Sequence, residues 1–413
     1  MYLETLRKAP RAFKVLVASA LIENVGFGMI FPVLTIYMVE NIRISESLAG
    51  VALAGYTLSG IPAMIIGGML ADRIGRRPVL LMSLGLMSIT MAMYFFAFDF
   101  LTLFIIILAD SFVGTLYMPA ANAMIADVIP SKDRPQAYST LRIAWNAGIF
   151  IGPSVGILIV SIWSIRELFL FGSAMLAAAF VMNFFIIPET KPESVVSEEV
   201  TFRKTMAVAG NRSFLLLCTL TGTLWFFLSQ WMSVLTVYLK NDLDFSTSSV
   251  ESLFAINGLM VVTLQLWITS RTVKFRRSLV LLSGQVVAAI GFSCLFFVGD
   301  VVGVVACTVV MTLGELVYMS IIGAIIADMS PEVERGLYMG FAGFVQTLAM
   351  GAGMLFGMVT LDIMDEDRFI WLIFGAFGVV TSLGYLLFAR MIGPEKDHPE
   401  KYGSQPSAPS LVE

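Results

Sequence analysis

The stretch GTLYMPAANAMIADVIPSKDR, Gly114–Arg134, is matched 201 residues further on by ELVYMSIIGAIIADMSPEVER, Glu315–Arg335. Tyr117/Tyr318, Met118/Met319, Ala123/Ala324, Ile125/Ile326, Ala126/Ala327, Asp127/Asp328, Pro130/Pro331 and Arg134/Arg335 coincide, and further on so do Gly152/Gly353 and Gly156/Gly357. The spacing never slips. The chain therefore reads as two copies of a unit about two hundred residues long, far beyond a solenoid period.

Composition says where such a chain lives. Hydrophobic residues make up 58% of 413 and charged residues only 14%, against about a quarter charged in soluble proteins. The apolar runs are long enough to cross a bilayer, which takes roughly 20 residues each. Twelve spans are expected, at about 13–39, 47–70, 78–98, 101–126, 135–161, 167–187, 213–239, 248–270, 278–298, 301–327, 336–361 and 368–392. With no water in the hydrocarbon to satisfy backbone groups, runs of this length are helices rather than barrel strands. The fold class is thus an all-α integral membrane protein, twelve transmembrane helices in two six-helix bundles related by the repeat. The first span is too long for a signal-peptide core and carries Glu23, so it is read as retained.

Charge placement sets the expected orientation. With both termini cytoplasmic, the cytoplasmic segments hold 21 of the 26 Lys and Arg residues, the opposite side holds four (Arg43, Arg166, Lys240, Arg368), and Arg142 lies inside a span. This is the asymmetry of the positive-inside rule, and it points to a multi-pass protein of the cell membrane. The expected organisation is a bundle over 1–187, a cytoplasmic linker over 188–212, a second bundle over 213–392 and a disordered cytoplasmic tail over 393–413. Cys218, Cys294 and Cys307 all fall within spans and suggest no disulfide framework, and His398 is the only histidine. No His/Cys cluster offers a metal site and no phosphate-binding loop is present. No cofactor, no enzymatic chemistry and no nucleic-acid partner is expected. The bilayer is the one partner that composition demands, and a monomer is expected.

Two motifs stand out. Between the second and third spans runs GMLADRIGRR, Gly68–Arg77, where glycine permits a tight reversal and arginines face anionic headgroups. In the fifth span GIFIGPSVG, Gly148–Gly156, sets three glycines four apart with Pro153 between the second and third; proline removes a helix hydrogen bond, and the glycines make one flat face. The first segment resembles the signature loop of the major facilitator superfamily, G-x-L-a-D-R-x-G-R-K/R. The second resembles the antiporter motif G-x-x-x-G-P-x-x-G-G of that superfamily's drug/proton exporters, with Ile157 at its last position. The resemblance covers roughly residues 12–392 and implies a twelve-span multidrug efflux transporter that exchanges protons for cargo. It assigns gating roles to Gly68, Asp72, Arg73, Gly75, Arg76 and Arg77, and to Gly148, Gly152, Pro153 and Gly156. The corresponding loop of the second half keeps Lys274, Arg276 and Arg277 but has Val273 in place of the aspartate, so an asymmetric pair of loops is expected.

Ionisable residues inside spans are functional candidates by default, because each costs about 2.5–3.5 kcal/mol at a helix centre on insertion scales. They are Glu23 in span one, Asp110 in span four, Arg142 in span five and Glu315 in span ten. At 1.5 Å per residue, Glu23 and Arg142 fall in one layer, so a pair is expected between them, with Asn24 or Asn146 as possible bridges. Asp110 lies further outward, at a depth near that of Glu315. The segment around Glu315, Leu313–Asp328, looks like the tenth span of a bacterial multidrug/proton antiporter, where a glutamate serves proton coupling and cationic-drug recognition. Many exporters of that group carry an arginine where this chain has Asp110, which leaves Arg142 as the candidate substitute. Spans one, four, seven and ten line the cavity in the resembled family. This adds Phe27, Phe31, Tyr117, Met118, Trp225, Gln230, Trp231, Tyr318 and Met319 as expected contacts for a small-molecule substrate. The alternatives are a proton-coupled exporter of a defined metabolite such as a sugar and, more remotely, a non-transporting membrane sensor or scaffold.

Overall fold

The computed structural model describes residues 9–130, 134–191, 208–330, 335–364 and 366–398. Among them twelve helices are long and apolar enough to cross a membrane: Arg11–Asn41, Glu46–Ile74, Arg76–Tyr94, Phe100–Val128, Ile143–Val160, Ile165–Ile186, Arg212–Asn241, Thr247–Gln265, Arg277–Phe297, Val301–Ile326, Leu337–Ile363 and Phe369–Asp397. They are spans 1 to 12, as expected from the apolar runs. Three belong to longer helices: Arg134–Val160 for span 5, Thr247–Thr272 for span 8 and Arg335–Ile363 for span 11. The face where span 1 begins and span 12 ends is called here the terminal face, and the opposite one the far face.

The repeat reaches down to the helix caps. Ser45 Oγ accepts from Leu48 N to start span 2, and 201 residues on Ser246 Oγ accepts from Ser249 N to start span 8. Asp99 likewise accepts from Thr102 N at 3.0 Å, and its counterpart Asp300 from Gly303 N at 2.6 Å, at the starts of spans 4 and 10. A side-chain oxygen at this position satisfies one of the amide donors that every helix start leaves open.

Several spans are interrupted. Span 4 breaks at Leu116, span 10 between Met319 and Ile322, and span 7 passes through a 3-10 turn at Ser229–Trp231 before resuming at Val234. In hydrocarbon, backbone groups released by a break need partners. At span 7 Ser233 Oγ donates to the Ser229 carbonyl at 3.0 Å, and Thr35 Oγ1 of span 1 donates to the Met232 carbonyl at 3.1 Å. Span 5, by contrast, stays one helix through Pro153.

Two compact units emerge from the packing. The first comprises Met1–Glu198, Ser229–Leu259 and Gly351–Asp365: spans 1 to 6 together with the far ends of spans 7, 8 and 11. The second comprises Glu199–Leu228, Met260–Met350 and Glu366–Glu413. In the first, span 1 packs on spans 5 and 6, span 3 on span 6, and span 2 on span 4. In the second, span 9 packs on spans 10 and 12, with Phe292 and Trp371 stacked in its core. Span 1 meets span 5 so closely that a Cβ at Gly152 would stand 2.6 Å from Gly28 C and from Met29 N. Only glycine tolerates that approach.

The chain beyond residue 393 needs a correction. The helix of span 12 kinks at Gly393, where φ is +76°, and a last helical turn carries the chain to Asp397, which is fully buried. Its carboxylate accepts from Ser278 N at 2.8 Å, Ser278 Oγ at 3.0 Å and Arg276 Nε at 2.7 Å. These donors at the start of span 9 order a segment whose Pro- and charge-rich composition reads as tail. Residues 399–413, and 192–207 of the linker, lie outside the described residues.

Candidate functional site

Two of the expected in-span acids sit in the first unit and differ in their surroundings. Asp110 is buried, with Thr90 Oγ1 donating to its Oδ1 at 2.6 Å and Tyr94 OH to its Oδ2 at 3.5 Å. Both donors come from span 3, so Asp110 is held from a neighbouring helix. Glu23 is half-buried, yet its Oε2 is sealed and has no hydrogen-bond partner among the described residues. A short aromatic wall continues from it along span 1. Phe27 stacks on Phe31 with ring centroids 4.7 Å apart, and Phe31 tilts against Tyr56 of span 2 at 5.7 Å. Tyr56 lies in the electrostatic surroundings of both Asp110 and Glu23. The arrangement is a bare acid beside an apolar, aromatic face.

The other expected site residues are placed as follows. The side chain of Arg142 lies outside the described residues, and with it the expected pair to Glu23. Asn24 is buried and donates to the Ala20 carbonyl at 2.8 Å, while Asn146 is exposed and Met118 half-buried. Tyr117 is fully buried, its hydroxyl 3.5 Å from the Leu16 carbonyl. Gln230 is buried and donates to the Gly353 carbonyl at 2.9 Å, and Trp231 meets Phe254 edge-on at 5.3 Å. In the second unit Glu315, Met319 and Trp225 are half-buried, and Tyr318 is fully buried with its hydroxyl 2.7 Å from that of Tyr385.

One acid was missing from the expected set. Glu251, in the second turn of span 8, is fully buried, and neither of its carboxylate oxygens has a hydrogen-bond partner among the described residues. It lies against the last glycine of the Gly148–Gly156 face: a Cβ at Gly156 would stand 2.9 Å from Glu251 Oε1. In sequence it follows Ser246-Thr-Ser-Ser249, which reads as a solvated helix start. The glycine opposite it is what reveals the depth.

The signature loop forms a bonded network at the terminal face. Gly75 takes the left-handed φ of +109° that its turn requires. Arg76, nearly fully buried, pairs with Asp72 at 3.2 Å and with Asp127 at 2.9 Å, and donates to the Ala71 carbonyl at 2.8 Å. Glu189, at the end of span 6, accepts from Arg76 N at 3.0 Å and Arg77 N at 3.2 Å. Partial burial pushes the Glu189 carboxyl up, but donation from the amides of Lys191, Arg76, Thr190 and Arg77 outweighs it and holds the group below its ordinary value. Gly67 rather than Gly68 makes the close helix contact, against Leu116. Arg73 is exposed, and its carbonyl accepts from Lys191 Nζ at 2.9 Å. In the second unit Arg277 pairs with Asp328 at 2.6 Å, the repeat counterpart of Arg76 with Asp127, and Asp397 caps span 9 much as Glu189 caps span 3. The arginine-aspartate core of the loop is thus present in both halves, and the lost aspartate at Val273 removes only a secondary partner. The coincidence of Asp127 with Asp328 in the repeat was the available signal.

A family model described as Major Facilitator Superfamily matches residues 16–268 and 225–412. The chain is 26% identical to a Na(+), Li(+), K(+)/H(+) antiporter of Planococcus maritimus, over 91% of this chain and 95% of that protein. It is 22% identical to the quinolone resistance protein NorA of Staphylococcus aureus (strain COL), over 92% and 95% of the two chains. Among solved structures it superposes with a TM-score of 0.78 on a POT family transporter crystallised with 5-aminolevulinic acid. That likeness covers 94% of this chain and all of that one at 17% identity, and it speaks for the fold alone.

Proposed function

The chain belongs to the Major Facilitator Superfamily and is a membrane transporter, and from that premise we propose that it exports hydrophobic, cationic compounds in exchange for protons by alternating access. The observation that carries this reading is Glu23, an acid with a sealed, unpartnered oxygen beside Phe27, Phe31 and Tyr56. An uncompensated carboxylate in a poorly hydrated site is costly. Either a proton or a lipophilic cation relieves it, and the two compete. Aromatic faces add cation-π attraction for the same class of cargo. Asp110 and Glu315 supply further in-span carboxyls, and Arg142 supplies the one cation among the candidates. Exchange requires proton and cargo to bind the two open forms unequally, since a ligand with equal affinity for both shifts nothing. The placement of Lys and Arg supports both termini on the cytoplasmic side.

The names of two relatives bear on the cargo. NorA is named for quinolone resistance and the Planococcus protein for exchange of inorganic cations with protons. The second name motivates a rival reading in which sodium or potassium is the cargo. The aromatic face of Phe27, Phe31 and Tyr56 beside Glu23 favours the organic cation. The test is efflux of ethidium from proteoliposomes with and without an inward proton gradient, with sodium and potassium as competitors. Efflux should accelerate with the gradient, and Glu23→Gln should cut the driven rate by about tenfold or more, as expected for losing a charge-assisted contact of about 1.5–3 kcal/mol. A rate indifferent to the gradient sinks the reading, and full competition by sodium transfers it to the rival.

A further inference from the structure

Glu251 fills the notch that Gly156 leaves at the far end of span 5. A Cβ at Gly156 would lie 2.9 Å from Glu251 Oε1 and 3.3 Å from the Met29 carbonyl oxygen. Two turns along span 8, Gly258 packs on Phe150 of span 5, where a Cβ at Gly258 would stand 3.0 Å from the Phe150 Cα. These contacts form a seam, inside the first unit, between a helix of the first repeat and a helix of the second. The acid sits at the far-face end of that seam.

An ionised carboxylate without partners is among the most expensive groups to bury, whereas the neutral acid costs far less. Two events remove the expense: uptake of a proton, or withdrawal of span 8 so that water reaches the group. Among the described residues, nearby charges supply no third route. Residues 143–160 of span 5 contain nothing titratable. On span 1 the charged groups flanking Met29 are Glu23 and Glu40, six and eleven positions away. Glu40 is engaged by Lys240 of span 7 at 3.8 Å, and the other charge of span 7, Arg212, lies at its terminal-face end. Arg271 is the remaining charge in the helix of span 8, twenty positions on.

We propose that Glu251 is a proton-binding site that governs the seam between spans 5 and 8. With its proton the acid stays seated against Gly156; on losing it, span 8 leaves span 5 and the far face opens. The part this plays in transport rests on the proton-exchange reading above. The seam itself can be followed without cargo or gradient. In a background with Cys218, Cys294 and Cys307 replaced by alanine, spin labels go on Ile162→Cys, exposed just beyond the far end of span 5, and Ser248→Cys, half-buried in the first turn of span 8, both in the first unit. Label separations are then measured in nanodiscs from about pH 5 to about pH 9, the range over which buried carboxyls titrate.

The native acid should give a population at longer separation that grows as pH rises. Glu251→Gln and Glu251→Met should both lose that shift and hold the short separation throughout. Methionine guards against misfolding caused by a buried amide. A pH-driven shift that survives in either folded variant overturns the proposal, as does a native chain whose separations ignore pH. Failure of gradient-driven efflux would sink the exchange reading and leave this measurement standing. Variants that respond like the native chain end the proposal even where efflux is proton-driven.

Discussion

Glu189 shows how one side chain far along the sequence completes a motif that looks local. Its carboxylate receives the first two amides of span 3, Arg76 N and Arg77 N, from 112 or more positions away. Because the group is held below its ordinary value by those donors, its contribution to stability is present above the unfolded carboxyl range and fades as pH falls through the folded one. Glu189→Gln should therefore lower the thermal midpoint at neutral pH by an amount worth about 1 kcal/mol, discounted because solvent reaches the site. The gap between variant and native protein should close as both are acidified below the ordinary carboxylate range and through the lowered one of the folded protein, where the native carboxyl takes up its proton. A constant gap at every pH would mean the charge plays no part. Asp127 teaches the same lesson about legibility. It stands in the stretch that betrays the repeat, yet its bond to Arg76 spans 51 positions, and no local pattern announces a partner at that distance. Glu251 was hidden for a different reason: depth is a property of what lies opposite, and Gly156 is nearly a hundred positions away in the chain.

At the scale of elements, the twelve spans were readable because hydrocarbon admits one solution for a long apolar run, and even the caps Ser45/Ser246 and Asp99/Asp300 obey the 201-residue offset. What periodicity does not convey is which glycines matter. Gly68 belongs to the recognisable loop motif and has open space where a Cβ would go, whereas a Cβ on Gly152 would stand 2.6 Å from the backbone of span 1. Gly152→Ala should thus force spans 1 and 5 apart and destabilise the protein by about 1–3 kcal/mol, the usual cost of overpacking. Gly68→Ala should be neutral or gain about 0.5–1 kcal/mol from the better helix former. Thermal unfolding in detergent reads both, and equal midpoints for the two variants would refute the assignment of the span 1–span 5 seam as the tighter contact. The breaks in spans 4, 7 and 10 were equally illegible, since each lies inside a segment long and apolar enough to span, and carbonyls near them find donors on other helices: Val113 on Ser83, Met232 on Thr35 and Leu316 on Gln265.

For the whole molecule, the decisive fact is that the far ends of spans 7, 8 and 11 fold with spans 1 to 6 as one compact unit. The two sequence repeats are therefore joined at the far face in this conformation, by Thr35 to Met232, Gly156 to Glu251 and Ser47 to Asp362. A transporter that works by alternating access has to break the cross-repeat contacts once per cycle, and a covalent tie should then stop it. Ser47 Oγ donates directly to the Asp362 carboxylate, so Ser47→Cys with Asp362→Cys, in the cysteine-free background, places two thiols where a disulfide can close. Oxidation should reduce transport to at most about a tenth, and reduction should restore it, because a disulfide between neighbouring ends excludes separations much beyond about 7 Å between Cα atoms. Each single cysteine variant should transport normally under oxidant. If the tie forms quantitatively and cargo still crosses at the native rate, the far face does not open during the cycle. The proposed link between protonation of Glu251 and opening of that face then fails with it, since a seam that never parts has nothing for a proton to release.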